Sequence, residues 1–146
     1  MSSPLEPFNY QTTIQLRWKD IDQFGHVNNA VYLTYFETAR YYYNRDVNQW
    51  NWEQDQYIIA STKVDYLRPI FYPGDIKVYL RISDIGEKSF VFNYAITFEK
   101  NNLEKLAATG QSTQVFYDLK NQKTILIPER IVQQWRTYEK AEYFKS

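Results

Sequence analysis

The pattern of hydrophobic and polar residues changes its period early in the chain. Residues 10–18 alternate between apolar and polar side chains, which is typical of a half-buried strand. Further on, apolar residues recur at i, i+4, i+7 and i+11, a spacing that places them on one face of a helix. These residues are Tyr32, Phe36, Ala39 and Tyr43. The spacing predicts a long helix that ends near Arg45 or Asp46.

Most of the remaining chain has the period of two that predicts strands. Pro69 and Gly86 interrupt this alternation, and Asn101-Asn102 suits a hairpin because asparagine tolerates a positive φ. Residues 46–56 are mostly polar and predict a connecting loop or a short helix. The predicted strands are 57–67, 76–85, 90–98, 103–117 and 124–127, and a short last helix is predicted over 128–138.

The order of these elements predicts the fold class. One helix followed by successive hairpins predicts an antiparallel β-sheet wrapped around one long central helix, which is an α+β fold. Gly110 lies inside a predicted strand and indicates a bulge or a close backbone approach where the long helix crosses. No linker or repeat divides the sequence, so we expect one domain over residues 1–146. Residues 1–7 contain two prolines and are expected to be flexible.

The loop between the first strand and the long helix holds most of the candidate functional residues. Asparagine is a favoured helix N-cap, because its side-chain oxygen accepts a free backbone N–H of the first turn. That end of a helix carries roughly +0.5 charge. A carboxylate and an imidazole beside it could act on a carbonyl group whose oxygen is gaining negative charge. The candidates are Asp20, Asp22, Gly25, the single histidine His26, Asn28 and Asn29.

Composition excludes several classes of function. The formal net charge is zero, with 17 basic and 17 acidic residues, which disfavours a nucleic-acid partner. The lack of cysteine excludes a thiol nucleophile, and a single histidine disfavours a metal site. No apolar run approaches the ~20 residues of a membrane span and no secretory signal is present, so we expect no membrane partner and a cytoplasmic location. The 14 Tyr, 9 Phe and 4 Trp favour strands and a flat aromatic interface between subunits.

The motif D-x-D-x-x-G-H-V-N-N-x-x-Y, from Asp20 to Tyr32, resembles that of the hotdog-fold acyl-CoA thioesterases, in particular the 4-hydroxybenzoyl-CoA thioesterase branch. Segments 64–75, 88–91 and 108–115 resemble the same family. The resemblance implies a hotdog fold and the hydrolysis of an acyl-CoA thioester to a free acid and coenzyme A. It implies no cofactor, since coenzyme A is part of the substrate. It also implies self-association as a homodimer or homotetramer, with sites built from both subunits.

Three loop residues acquire catalytic roles from this resemblance. Asp22 matches the catalytic acid and is expected to attack the carbonyl or activate water; the alternative is a loop aspartate that caps a turn. His26 has the spacing of a reactive histidine in the plant acyl thioesterases, although this chain has Phe24 where those enzymes have asparagine. It would orient water or polarise the thioester, or else bond a backbone carbonyl. Asn29 matches the position whose backbone N–H faces the thioester oxygen, and Asp20 is expected to order the loop.

Two residues are expected to bind the acyl end of the substrate. Gly25 would let the substrate approach the backbone closely, or would only make the turn. Glu37 matches an acid that contacts the ring hydroxyl in the 4-hydroxybenzoyl branch, which would favour a polar acyl group. The alternative for Glu37 is a surface ion pair with Arg40, three residues later.

Lys88 and Ser89 are expected to bind the nucleotide phosphates of the substrate. They match a segment that follows a basic cluster in the 4-hydroxybenzoyl branch, but the two preceding residues here are Gly86 and Glu87. Phosphate binding would therefore be weaker, or Lys88 would be only a solvated turn residue.

Two rival functions remain open for the same fold. A non-catalytic acyl-thioester-binding protein would bind acyl-CoA without turnover. An aromatic nucleic-acid platform would need a basic excess and an RNA-recognition motif, and this chain has neither. The hotdog dehydratases carry an H-F-P-G-x-P run, which is absent here.

Overall fold

The computed structural model describes residues 3–144. Two 3₁₀ turns, Trp18–Asp20 and Ala141–Tyr143, accompany the regular elements. The helices and strands are β1 Tyr10–Gln15, α1 Val31–Asn48, β2 Tyr57–Tyr66, β3 Asp75–Ile85, β4 Ser89–Lys100, β5 Leu103–Asp118, β6 Lys123–Thr124 and α2 Glu129–Tyr138.

The strands form one antiparallel sheet in the order β1-β3-β4-β5-β2, and β6 pairs with β5 beside this path. Strand β2 therefore lies at an edge, although it follows α1 directly in sequence. The long helix α1 packs on one face of the sheet. This arrangement confirms the predicted α+β fold with an antiparallel sheet around one long helix and a short C-terminal helix.

The predicted apolar face of α1 is the face that packs on the sheet. Its four residues are each no more than 3% exposed. The ring of Phe36 stacks on that of Tyr94 in β4, with centroids 4.0 Å apart and planes inclined by 12°. A Cβ atom at Gly110 would lie 2.6 Å from Cζ of Phe36. Of the two interpretations of Gly110, the close approach is confirmed. The irregularities in strand pairing lie elsewhere, at Ile59/Ser61, Ile82/Asp84 and Ile96/Thr97.

Several predicted boundaries differ from those observed. Strand β1 ends at Gln15 because the following residues form a 3₁₀ turn, which the N–H of Asp20 closes by donating to the carbonyl of Arg17. Helix α1 begins at Val31 and continues to Asn48, beyond the predicted end. The last strand is shorter than the predicted 124–127, because the N–H of Ile127 leaves the ladder and donates to the carbonyl of Glu87.

The two chain ends are tied to the same side of the fold. Residues 3–7 form a turn in which the N–H of Glu6 donates to the carbonyl of Ser3, and Lys140 Nζ donates to the carbonyl of Glu6. The first two of the seven residues predicted to be flexible lie outside the described residues.

Helix α2 packs through buried Trp135, whose indole N–H donates to Asn48 Oδ1 across 2.7 Å. Within residues 3–144, no helix is both long and apolar enough to cross a membrane.

Candidate active site

Asp20 holds the loop between β1 and α1 in place. Its carboxylate is 1% exposed and accepts hydrogen bonds from the backbone and guanidinium of Arg17 and from the hydroxyl of Tyr35, at 2.8–3.1 Å. Burial by itself raises the pKa of Asp20, but the hydrogen bonds from Arg17 and Tyr35 together hold it below its usual value. The carbonyl of Asp20 also accepts the N–H of Asn28 across 2.8 Å. Asp20 therefore has the loop-ordering position that the sequence predicted.

The rest of the loop is a tight turn fixed against the segment that follows β2. The N–H of Asp22 donates to the carbonyl of His26 across 2.9 Å, and the N–H of Val27 donates to the carbonyl of Ile70 across 2.8 Å. Gly25 has a φ of +89° and is exposed, a backbone conformation that favours glycine. This geometry supports the turn-making alternative for Gly25, and it also leaves open space beside the glycine.

Asp22 has one oxygen engaged and one directed towards His26. Its Oδ1 accepts the N–H of Phe24 across 2.8 Å, which is the turn-capping role considered as the alternative. Its Oδ2 lies 3.5 Å from Nδ1 of His26. The two side chains are 21% and 38% exposed, so both are reachable from solvent without lying in bulk water. Capping and a reactive role are therefore compatible in this geometry, because they use different oxygens.

The imidazole of His26 stands between two acceptors. Its Nδ1 lies 3.4 Å from the carbonyl oxygen of Val27 and 3.5 Å from Asp22 Oδ2. A proton on Nδ1 suits both neighbours and leaves Nε2 as the basic nitrogen. The ring is flanked by Phe24, nearly parallel at 6.3 Å, and by the edge of Phe71 at 6.2 Å. These contacts fix the orientation of the ring.

Asp22 and His26 open into a groove of about 540 Å³. Asn29 and Tyr32 at the start of α1 line it on one side, and residues 66–69 at the end of β2 line it on the other. The ring of Tyr32 meets that of Tyr66 edge to face, with centroids 4.8 Å apart. Burial raises the pKa of Tyr32 to about 12, so its hydroxyl stays neutral at ordinary pH. The groove therefore combines one carboxylate, one imidazole, two neutral phenols and the guanidinium of Arg68.

The start of α1 differs in detail from the predicted cap. The side chain of Asn28 accepts the N–H of Ala30 across 2.9 Å, while Asn29 is exposed and caps nothing. The backbone carbonyl of Asn29 accepts the hydroxyl of Tyr66 across 2.8 Å. Among the hydrogen bonds of residues 3–144, the N–H of Asn29 has no acceptor. A free donor therefore stands at the helix start beside the groove, as an oxyanion site requires.

Glu37 lies outside this groove. It is exposed on α1, whereas Arg40 is only 8% exposed and donates to the hydroxyl of Tyr94 across 3.0 Å. The predicted alternative, a surface ion pair between Glu37 and Arg40, is wrong, because Arg40 lies on the sheet side of the helix. Contact between Glu37 and an acyl group stays a prediction.

Lys88 and Ser89 lie far from the groove within one chain. Ser89 pairs with Val115 and Tyr66 pairs with Ala108, so their positions are seven residues apart along β5. At about 3.3 Å per residue, this separation is roughly 23 Å. Lys88 Nζ is instead 3.5 Å from the hydroxyl of Thr124. One chain therefore does not bring these two residues to Asp22.

The sequence reasoning missed Tyr66 and Arg68 as groove residues. Both lie in the segment 64–75 that resembles the family, but the resemblance assigned no role to either. Their position depends on the pairing of β2 with β5, which starts 37 residues further along at Leu103. Alternation along β2 alone gives no sign that its end meets the start of α1.

Comparison with known proteins places the chain in a family. The profile described as Thioesterase-like superfamily matches residues 16–135, which span the loop, α1, strands β2 to β6 and most of α2. The chain belongs to this superfamily. The predicted family and the predicted class of thioester hydrolase are thereby confirmed at the level of the family.

Two curated proteins are similar in sequence. The long-chain acyl-CoA thioesterase FadM of Escherichia coli is 29% identical over 120 residues, which are 80% of this chain and 89% of that protein. The uncharacterized protein YsmA of Bacillus subtilis is 30% identical over 88 residues, which are 60% of each chain.

Solved structures confirm the predicted hotdog-type fold. A thioesterase from Thermus thermophilus, complexed with coenzyme A and Zn, is 31% identical with a TM-score of 0.80, covering 92% of this chain and 96% of that one. A mutant 4-hydroxybenzoyl-CoA thioesterase complexed with 4-hydroxybenzoyl-CoA has a TM-score of 0.79 at 16% identity, covering 86% and 97%. The second likeness concerns the fold alone.

Proposed function

We propose that this chain hydrolyses acyl-CoA thioesters in the groove at the start of α1, with Asp22 as the essential carboxylate. The observation that carries the proposal is Oδ2 of Asp22, which lies 3.5 Å from His26 in a groove that is also lined by Asn29, whose N–H is unbonded. A carboxylate that activates water or attacks the carbonyl, and a donor for the oxyanion, are groups that catalyse hydrolysis of a thioester, and the imidazole can orient the water. Family membership and the likeness to acyl-CoA thioesterase FadM support the same class of substrate.

Two mechanisms fit this geometry. As a general base, Asp22 takes a proton from water while the water oxygen bonds to the carbonyl carbon, and the C–S bond then breaks to release the thiolate. As a nucleophile, Asp22 bonds to the carbonyl carbon and displaces the thiolate, and water hydrolyses the resulting anhydride. In both, the N–H of Asn29 binds the carbonyl oxygen, and His26 Nε2 orients the water.

Labelled water gives a signature of the nucleophilic mechanism. In a single turnover in H₂¹⁸O, a general base puts the label only into the free acid. A nucleophilic Asp22 whose anhydride is attacked at the aspartyl carbonyl carbon instead keeps ¹⁸O in its own side chain, and mass spectrometry of the peptide that contains residue 22 detects it. Label in that peptide therefore establishes the nucleophilic mechanism.

We also propose that the hydrolysis needs no metal. Among the described residues 3–144, no three His, Asp or Glu side chains are grouped as metal ligands would be. The Zn of the Thermus thermophilus structure is a feature of that protein. Activity that survives a chelator and is not raised by added Zn²⁺ supports this part of the proposal, and activity restored only by Zn²⁺ contradicts it.

Self-association is the further part of the proposal. Strand β2 is an edge with unpaired backbone groups, and it exposes Ile58 and Ile59. Antiparallel pairing of two β2 strands would place the Tyr57 end of one copy beside the Tyr66 end of the other. Lys88 of one copy would then lie nearer to the groove of the other copy than to the groove of its own chain. Light scattering of the purified protein tests for a dimer or tetramer.

The experiment that tests the proposed activity is a hydrolysis panel from acetyl-CoA to palmitoyl-CoA, with benzoyl-CoA and 4-hydroxybenzoyl-CoA, and with the same groups on acyl carrier protein. Turnover of acyl-CoA supports the proposal. Binding of acyl-CoA without turnover across the panel supports the alternative, a non-catalytic acyl-thioester-binding protein. Because Glu37 is exposed, we expect a plain fatty acyl group to be accepted as readily as a polar one.

A further inference from the structure

A second cleft, of about 420 Å³, lies beside the groove and has no role in the chemistry described above. Arg68, Lys100 and Lys105 supply its charges, and the rings of Phe71 and Phe98 supply its apolar wall. We refer to these five residues as the basic cleft. The combination of three cations with two aromatic rings is suited to an anion that also carries a flat apolar group.

The register of the β4–β5 hairpin explains why positive charge gathers there. Phe98 pairs with Lys105 and Lys100 pairs with Leu103, so these side chains share one face of the hairpin. Glu99 also borders the cleft, but it pairs with Glu104, and alternation directs both acids to the opposite face. The two lysines therefore share the face of Phe98, while the side chains of Glu99 and Glu104 start from the opposite face of the hairpin.

Glu104 is in addition already engaged on its own face. Its Oε2 accepts the hydroxyl of Tyr79 across 2.6 Å and that of Thr97 across 2.7 Å. These bonds keep the carboxylate on the side of the sheet away from Lys100 and Lys105. Glu104 is thus not available to neutralise the lysines.

The third cation is fixed from the opposite side of the cleft. Arg68 Nη1 donates to the carbonyl of Leu106 across 2.8 Å, and the backbone N–H of Arg68 donates to the carbonyl of Ala107 across 3.0 Å. None of the ion pairs found within residues 3–144 includes Arg68, Lys100 or Lys105. Three like charges without a carboxylate partner repel one another and attract an anion.

The basic cleft adjoins the proposed reaction site. Arg68 and Pro69 line both the cleft and the groove. Phe71 lines the cleft and presents its ring to His26. A ligand whose thioester lies at Asp22 can therefore pass over Arg68 and place a distant part in the cleft.

We propose that the basic cleft binds the phosphorylated nucleotide end of coenzyme A when the acyl group occupies the groove of the same chain. The three cations bind the phosphates, and the exposed ring of Phe71 packs against the base. This inference rests on the proposed function, and it assigns the phosphates to a site other than Lys88. Lys88 is preceded by Gly86 and Glu87, and it lies at the far end of the sheet within its own chain.

The test compares an acyl-CoA with a truncated thioester of the same acyl group that lacks the nucleotide. Lys100→Ala/Lys105→Ala is expected to raise KM for an acyl-CoA roughly tenfold to a hundredfold, as the loss of charge-assisted bonds to phosphate would. KM for the same acyl group on N-acetylcysteamine, which has no nucleotide, is expected to be unchanged. Lys120→Ala/Lys123→Ala removes the same charge from the exposed turn before and within β6, and should change neither value.

Two results would overturn the assignment. One is an unchanged KM for acyl-CoA in Lys100→Ala/Lys105→Ala, including the case in which only Lys88→Ala raises it. The other is an equal rise for the N-acetylcysteamine thioester, which would mean that the cleft acts on the groove and not on the nucleotide.

A binding measurement separates this inference from the proposed activity. Calorimetry with adenosine 3′,5′-bisphosphate on Asp22→Asn should give an affinity that falls at least tenfold when Lys100 and Lys105 are also replaced. If the wild type hydrolyses nothing but this loss is found, the cleft assignment stands and the proposed activity fails. If the wild type is active and the affinity does not change, the cleft assignment fails alone.

Discussion

The hydroxyl of Tyr66 donates to the backbone carbonyl of Asn29 across 2.8 Å, and so joins the last residue of β2 to the turn that starts α1. This bond spans the groove between the two elements that line it. The edge of the sheet and the helix start are thereby held at a fixed separation. The acyl carbonyl would have to fit between them.

Tyr66→Phe is expected to lower the free energy of unfolding by about 0.5–1.5 kcal/mol, since it removes one hydrogen bond and leaves the ring in place. We also expect a lower kcat/KM, because the helix start loses its tie to β2. Urea unfolding and acyl-CoA hydrolysis measure the two effects. Tyr117→Phe serves as the control, because its hydroxyl makes no hydrogen bond within residues 3–144. Unchanged activity in Tyr66→Phe would show that the bond does not shape the site.

Asp22→Asn is expected to lower kcat for every accepted acyl-CoA by roughly a hundredfold or more, because an amide neither accepts a proton from water nor attacks a carbonyl. Folding should be intact, since the amide oxygen can still accept the N–H of Phe24. Circular dichroism and the thermal midpoint check the fold. The exposed carboxylate of Asp75 provides a matched control, Asp75→Asn. Full activity in Asp22→Asn would refute the assignment of this residue.

Gly110→Ala is expected to destabilise the protein by roughly 1–3 kcal/mol through overpacking, because the added methyl would meet Phe36 at 2.6 Å and the carbonyl of Lys63 at 3.1 Å. A double-mutant cycle with Phe36→Leu tests the cause. If the clash with the ring dominates, the double variant loses less stability than the sum of the single variants. Strict additivity would mean that the strain arises elsewhere.

Glu139 is expected to make stability depend on pH. It is 6% exposed, and burial raises its pKa above the ordinary 4.5 although Tyr43 and the N–H of Ile82 donate to it. The folded state therefore binds this proton more tightly than the unfolded chain does. The contribution of Glu139 is fully present below about pH 4.5 and is lost as pH rises through the raised pKa.

Unfolding free energies measured across that window should fall less steeply in Glu139→Gln than in the wild type. Glu142→Gln, three residues further along at an exposed position, is the matched control and should follow the wild-type curve. A parallel fall in all three proteins would assign the pH dependence to other groups.

The sequence was most informative where one local signal determines the outcome. The spacing of Tyr32, Phe36, Ala39 and Tyr43 predicted the buried face of α1, and the lone Gly110 inside a strand predicted the crossing point. Both follow from side-chain periodicity or from the size of one residue, so no knowledge of distant contacts was needed.

Features that depend on strand register could not be predicted from a short stretch of the sequence. The remoteness of Lys88 from Asp22, and the meeting of Tyr66 with Asn29, both follow from how β5 pairs with its neighbours. The alternative role for Glu37, a surface ion pair with Arg40, was wrong because Arg40 bonds Tyr94 beneath the helix. Strand register also places the two candidate binding sites for the substrate phosphates, Lys88 and the basic cleft, at opposite ends of β4.

The contacts of Asp20 determine how ordered the loop of the candidate active site is before a substrate binds. Arg17 and Tyr35 clamp this buried carboxylate, so the segment that carries Asp22 and His26 is ordered during folding and not during substrate capture. Little conformational entropy then remains to be lost on association. Acyl-CoA should accordingly bind to a preorganised site without a conformational change of the loop. We expect fast association, with selectivity determined by the shape of the site.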